Sequence, residues 1–211
     1  MKIHYLKSVD STQTYLRELL KSKSALPPLA VYTSIQTNGQ GSRDNTWQGI
    51  EGNLFLSFAI DKTELPKDLA LESASIYFSY LLKEVFAELG SKLWIKWPND
   101  FYIDDLKIGG MITHFMDNTL ICGVGINLVD MPKGFAKLDI QVNTEEILEK
   151  YFKKVEKKVL WKQVFSKYKL EFYKNQKFST HTNNLKISLK DAILQEDGSI
   201  VVNGERIYSL R

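Results

Sequence analysis

A single cysteine, Cys122, stands in 211 residues, and one thiol can neither close an internal disulfide nor build a Cys-rich zinc site. Its place in the apolar run Leu-Ile-Cys-Gly-Val makes it a small buried hydrophobe. The chain also lacks an apolar run of membrane-spanning length, and its opening residues, Met-Lys-Ile-His-Tyr-Leu-Lys, hold no apolar signal segment. The expected compartment is therefore cytoplasmic, with no membrane partner. Charge of one sign is scarce: 28 Lys and Arg against 25 Asp and Glu leave a net +3, too little by itself to imply a nucleic-acid partner. The three histidines, His4, His114 and His181, show no ligand spacing, and there is no repeat or low-complexity segment. What remains is ordinary globular text, 44% apolar and 25% charged, long enough for one main domain and a small appendage.

The pattern predicts α+β architecture rather than βαβ alternation. Residues 3–6 read as a strand, Asp10-Ser11-Thr12 as the cap of a helix carrying Tyr15, Leu16, Leu19 and Leu20, and 29–35 and 53–60 as strands. A helix over 68–89 ends at Gly90, and strands at 93–97, 101–103, 107–115 and 119–128 are separated by Asp/Asn turns that favour antiparallel neighbours. Helices follow at 144–153 and 156–175, their lysines forming a solvated face. Short strands at 185–189, 191–195, 199–202 and 205–210, joined at Asp197-Gly198 and Asn203-Gly204, suit a small terminal β-barrel. The expected division is residues 1–180 for the main domain and 181–211 for the small β domain.

Three stretches could carry chemistry. In Trp94-Ile-Lys-Trp-Pro-Asn-Asp-Phe-Tyr-Ile-Asp-Asp-Leu-Lys-Ile-Gly-Gly110, two lysines interrupt strand-like text. A lysine in a strand ordinarily faces solvent. Here Lys96 precedes a Pro-Asn-Asp corner and Lys107 precedes Gly109-Gly110, where a backbone or flat ligand can approach closely. If both ammonium groups face one hollow, they suit an anion whose charge grows during reaction, which implies phosphoryl or carboxyl chemistry. The loop from Gln36 to Gly52 offers Gly39 and Gly41 for backbone anion contacts, Arg43 as a charged fork and Trp47 as a stacking face. It reads equally as a surface loop of turn formers, but its length between two strands favours a functional role. Gly123-Val-Gly-Ile-Asn127 lacks the third glycine of a dinucleotide fingerprint and reads as a closely packed strand with an amide at its end.

In order and spacing, Ser11-Thr12, the Gln36–Trp47 loop, Lys96-Trp-Pro-Asn-Asp100, Lys107-Ile-Gly-Gly110, Gly123-x-Gly-x-Asn127 and the closing β segment resemble the biotin–protein ligases over nearly the whole chain. The resemblance implies a mixed, largely antiparallel sheet on helices with a small SH3-like C-terminal barrel. It implies that Ser11, Thr12 and Gln36 hold the ureido ring of biotin, with Gly39, Gly41, Gly109 and Gly110 beside it. Lys107 would lie between the biotin carboxylate and the α-phosphate. Arg43, Trp47, Lys96, Asn99 and Asn127 would serve ATP or the adenylate, and Asp100 would be catalytic together with Lys107. The implied chemistry is ATP-dependent: biotinyl-5′-AMP forms, then biotin passes to a lysine of a biotin carboxyl carrier protein. Mg2+ enters with ATP, and no metal is held by the protein.

Departures are visible. The family loop reads Gly-Arg-Gly-Arg-x-Gly-Arg-x-Trp, whereas Gly39-Gln-Gly-Ser-Arg-Asp-Asn-Thr-Trp47 keeps one arginine and carries Asp44 in place of a glycine. Charge-assisted bonds to phosphate are worth about 1.5–3 kcal/mol each, so weaker retention of the adenylate is expected. Gln13 stands where an Asn is usual. The chain starts in the catalytic segment, so no operator binding is expected. Two other readings stay open: a lipoate or octanoate ligase of related fold, which would leave Ser11, Thr12 and Gln36 unpaired, and a non-catalytic nucleotide- or nucleic-acid-binding module.

Overall fold

The computed structural model describes residues 1–41, 45–182 and 185–208. In chain order the elements are β1 (Lys2–Tyr5), α1 (Thr12–Lys21), β2 (Leu29–Thr33), β3 (Gly39–Gln40), β4 (Thr46–Trp47), β5 (Leu54–Asp61), α2 (Ala74–Glu88), β6 (Trp94–Lys96), β7 (Asp100–Ile103), β8 (Leu106–Met116) and β9 (Thr119–Ile126). They continue with α3 (Thr144–Glu156), α4 (Trp161–Glu171), β10 (Ser179–Thr182), β11 (Leu185–Ser188), β12 (Ile193–Leu194), β13 (Ile200–Val202) and β14 (Glu205–Ile207). Seven strands make one sheet in the order β1-β2-β5-β9-β8-β7-β6. The β1–β2 pair is parallel and the other neighbours are antiparallel, so the sheet is mixed and largely antiparallel.

Alternation along β5 shows how the sheet sorts its faces. Leu54, Leu56, Phe58 and Ile60 point into the main core, where α2, α3 and α4 contribute Phe78, Tyr151, Phe152 and Tyr168. Phe58 meets the rings of Phe78, Tyr151 and Phe152 edge-on. Ala59 faces the other way, against Leu16 of α1, Leu29, Val31 and Ile121. Helix α1 covers only part of that second face, and the uncovered remainder becomes the floor of a cavity. No helix among the described residues is long and apolar enough to cross a membrane.

Helix boundaries move for local reasons. Residues Leu71–Ser73 form a 3-10 turn, so α2 begins at Ala74, and Gly90 takes φ +95° just past its end. The helix expected from 156 begins at Trp161 because α3 runs on to Glu156 and Lys158, at φ +48°, breaks the chain between them. At the C-terminus, β10–β11 form a hairpin and β12–β13–β14 a three-stranded sheet. Strand β10 is an addition to the expected set, and the expected boundary at 180/181 falls inside it. Leu189, Ile200, Val202 and Ile207 pack into the main core. Trp161 Nε1 donates to Glu196 O, and Trp97 Nε1 to Gly198 O, both at 2.8 Å. Asn203 and Gly204 both take positive φ, whereas at Asp197-Gly198 only the glycine does.

Candidate functional site

Pairing register gathers the site. Lys96 pairs with Asp100, Asp100 with Gly110 and Tyr102 with Lys107, and paired residues of an antiparallel ladder point to one face. Gly110 and Lys107 are three apart and would face oppositely in a regular strand. A register shift between Phe101 and Tyr102 brings them to the same side. Lys107 Nζ then donates to Asp100 Oδ1 at 2.6 Å, and Lys96 Nζ lies 3.4 Å from Asp100 Oδ2. The missing side chain of Gly110 leaves room for this pair, since a Cβ there would sit 3.3 Å from Asp100 Oδ1. Both lysines also lie over aromatic faces, Lys96 over Tyr102 at 5.8 Å and Lys107 over Trp47 at 5.9 Å. Burial, with the Asp100 charge adding to it, pushes the Tyr102 hydroxyl up to about 12, so it stays protonated beside them.

The same ladder continues as a floor. Gly110 pairs with Gly125 and Ile112 with Gly123, and across β9 these meet Phe55 and Ser57 of β5. Trp47 lies directly on Gly125: a Cβ there would fall 2.8 Å from the indole Cε2 and Nε1. The result is a cavity of about 310 Å³. One end is polar, with Ser11, Thr12, Gln13, Gln36 and Ser57. Its middle is apolar, with Ile112, Trp47 and Phe135, while Met111 and Val124 border it from strands whose side chains at these positions pack into the main core. The far end is charged, with Asn99, Asp100 and Lys107.

Each end is positioned by backbone pairing. Ser11 caps α1, its Oγ accepting from Thr14 N at 3.3 Å, which fixes Thr12 at the helix start. Val9 bridges Gln36 in parallel fashion, and Thr37 N and Asn38 N donate to Val9 O and Asp10 O. Gln36 is thereby held beside Thr12, whose N–H donates to Gln36 Oε1 at 2.9 Å. Thr12 Oγ1 lies 2.8 Å from Ser57 Oγ, and Ser57 Oγ donates to Gln13 Oε1 at 3.1 Å. All four side chains are buried. Asn99 Nδ2 donates to Met111 O, while Asn99 Oδ1 and Trp47 Nε1 are buried without a partner among the described residues. Each unmet group costs about 1–3 kcal/mol, a cost that a ligand bonding them would relieve.

Of the expected site residues, Ser11, Thr12, Gln36, Gly41, Trp47, Asn99, Asp100, Lys107 and Gly110 line this one cavity. Three glycine and amide positions differ from expectation. Gly109 faces the main core side, where a Cβ would meet Gly125 O at 2.4 Å, so its role is close strand approach. Gly39 sits behind Gln36 and Trp47, with a Cβ position 2.5 Å from Gln36 Nε2. Asn127 is fully buried and braces the segment after β9, donating to Ala136 O at 3.0 Å and meeting the Asn53 amide at 3.4 Å, which holds that segment and Phe135 over the cavity. Lys96 stands behind Asp100 rather than in the lining. Arg43 lies outside the described residues. Gln13, Ser57, Gly123, Gly125 and Phe135 line the cavity without having been expected there. Ser57 carried a usable signal, a lone hydroxyl inside the apolar run Leu-Phe-Leu-Ser-Phe-Ala; Phe135 carried none.

The geometry can thus seat an elongated molecule with a hydrogen-bonding head, an apolar body and an anionic tail. Comparison with known proteins points the same way. Residues 5–128 match the model of the biotin/lipoate A/B protein ligase family. The chain is 32% identical over 128 residues to the bifunctional ligase/repressor BirA of Escherichia coli, covering 57% of this chain and 38% of that protein. It is 30% identical over 153 residues to biotin–protein ligase 2 of Arabidopsis thaliana, covering 63% of this chain and 46% of that one. The matched segments therefore span less than half of these curated relatives. The crystal structure of biotin acetyl coenzyme A carboxylase synthetase from Helicobacter pylori with bound biotinylated ATP is similar at 40% identity and TM-score 0.94, over 98% of this chain and 99% of that one. Biotin protein ligase from Aquifex aeolicus in complex with biotin and ATP shares the fold at TM-score 0.78 and 21% identity, over 100% and 96% of the two chains.

Proposed function

Because the chain belongs to the biotin/lipoate A/B protein ligase family, we propose that it is an ATP-dependent biotin–protein ligase. The observation that carries this reading is the cavity's polarity: a buried amide and hydroxyl cluster at one end and the Lys107–Asp100–Lys96 charge cluster at the other. A ureido ring, a valeryl chain and a carboxylate present the complementary sequence. A dithiolane or alkyl tail would leave Thr12, Gln36 and Ser57 desolvated without a ligand partner, which disfavours a lipoate or octanoate substrate.

In the proposed reaction a biotin carboxylate oxygen attacks the α-phosphorus of Mg·ATP. The bond to pyrophosphate breaks and biotinyl-5′-AMP forms. A lysine amine of a biotin carboxyl carrier protein then attacks the acyl carbon, the bond to AMP breaks and the amine loses its proton. Lys107 stabilises charge developing on phosphoryl and acyl oxygens. Asp100, tied to both ammonium groups, holds Lys107 in place. Asn99 and Trp47 serve the nucleotide side with their unmet polar atoms. Among the described residues no group of three or more His, Cys, Asp or Glu is placed to hold an ion, and Mg2+ is written here as part of the ATP substrate. Enclosure under Trp47 and Phe135, whose rings meet edge-on at 6.2 Å, shields the mixed anhydride from water. The test is isotope exchange between pyrophosphate and ATP. Exchange that requires biotin supports the reading, and exchange that is absent, or driven by octanoate or lipoate instead, overturns it.

A further inference from the structure

We propose that Gln13 and Gly123 form a matched pair of positioning residues that sets the hydrogen-bond polarity of the cavity's polar end. The proposal rests on the biotin reading above and concerns how this chain holds the ring. Gln13 is 5% exposed, and its Oε1 lies where a Cβ on residue 123 would be, 2.6 Å from that position. The amide therefore fits only because residue 123 has no side chain.

The consequence runs through Ser57. Its hydroxyl has one proton and two neighbours, Gln13 Oε1 at 3.1 Å and Thr12 Oγ1 at 2.8 Å. An amide oxygen can only accept, so the Ser57 proton goes to Gln13. Thr12 must then supply the proton of its own contact with Ser57, which at 2.8 Å is favoured over the longer 3.3 Å approach of the same hydroxyl to Gln36 Oε1. Its hydroxyl is spent inward, and its remaining lone pair is what it can offer to a ligand. Gln36 is fixed in the opposite sense: its Oε1 accepts from Thr12 N–H at 2.9 Å, which leaves Nε2 as the donor. One acceptor and one donor side by side match the N–H and C=O of a cyclic urea.

The experiment measures biotin-dependent pyrophosphate exchange for wild type, Gly123→Ala, Gln13→Asn and the double variant. With Gln13 present, an alanine at 123 pushes the amide off Ser57, and KM for biotin is expected to rise about tenfold, the loss of roughly one hydrogen bond. KM for ATP should stay within about twofold, as the nucleotide end is untouched. In the Gln13→Asn background, whose amide is one methylene shorter, the same alanine should cost less than about threefold. An equal factor in both backgrounds, or no rise with Gly123→Ala alone, would overturn the pair while leaving the ligase reading intact. Absence of biotin-dependent exchange in wild type would overturn both. Should Gly123→Ala fail to fold, Gln13→Met keeps the length and removes the acceptor: a tenfold rise in biotin KM supports the relay, and an unchanged KM refutes it.

Discussion

Replacing Lys107 by alanine separates the chemistry of this site from its stability, and the structure supplies both magnitudes. The Lys107 side chain is 30% exposed and shares Asp100 with Lys96, whose side chain is only 10% exposed. After truncation Asp100 still has Lys96 at 3.4 Å, so no buried carboxylate is left without a counter-charge. The cost to folding should then be about 1–2 kcal/mol, below the 3–5 kcal/mol of a pair broken outright. For a chain of 211 residues that lowers Tm by roughly 2–8 °C. Catalysis should suffer more. A donor aimed at developing oxyanion charge is worth about 2.7–4 kcal/mol, and its loss should reduce kcat for biotin-dependent pyrophosphate exchange by about 10²–10³-fold. Differential scanning calorimetry and the exchange assay on the same preparation read the two effects. A folded Lys107→Ala protein with wild-type exchange would remove this lysine from the mechanism.

Three further outcomes are expected. Gln40 borders the cavity in the loop that carries one arginine, so Gln40→Arg should slow biotinyl-AMP release up to about tenfold in a chase experiment, an exposed cation gaining about 1.4 kcal/mol at most; an unchanged off-rate would show that the loop's charge does not govern retention. Phe58→Ala empties the centre of the aromatic cluster and should cost about 3–5 kcal/mol in urea unfolding, without selective loss of biotin affinity in the folded fraction. At Asp197, burial raises the carboxyl but bonds from Ser199 and the Arg206 guanidinium outweigh it and hold it below its usual range. A depressed folded value contributes stability above the unfolded pKa and loses it as pH falls through the folded one. The wild type should therefore exceed Asp197→Asn in stability at about pH 7 by under about 1 kcal/mol, given a carboxylate one-third exposed, with the gap closing as pH falls below the usual carboxylate range; a gap that persists in strong acid would assign it to shape rather than charge.

Much of this molecule was legible before any coordinates. The apolar periodicities of β5, β8 and β9 located the sheet, and Gly90 marked a helix end because only glycine takes φ +95° there without strain. That Lys107 and the Asn99-Asp100 corner belong to one hollow was readable from a proline corner and a glycine pair, whereas Lys96, expected in the same hollow, stands behind Asp100 outside the lining. How they meet was not: a regular strand sends Lys107 away from Gly110, and the register shift at Phe101/Tyr102 has no signature in Asp-Asp-Leu-Lys. Gly123 and Gly125 read as close packing, which is right physically, yet their neighbours, Gln13 and Trp47, come from distant segments and line the cavity. Asn127 illustrates the converse. An amide at a strand end beside glycines suggests a ligand, but a segment that must lie over the cavity needs its own brace, and Asn127 provides it together with Asn53. Strand β10 was hidden because Ser-Thr-His-Thr is polar text that, among the described residues, pairs with β11 and not with the large sheet.

The most direct test of the central claim is native mass spectrometry of the protein mixed with biotin and Mg·ATP. A bound species of the mass of biotinyl-5′-AMP, present only when both substrates are supplied, is the predicted result. Protein carrying biotin and ATP unreacted, or neither, under conditions where a known biotin–protein ligase forms the adenylate would contradict it.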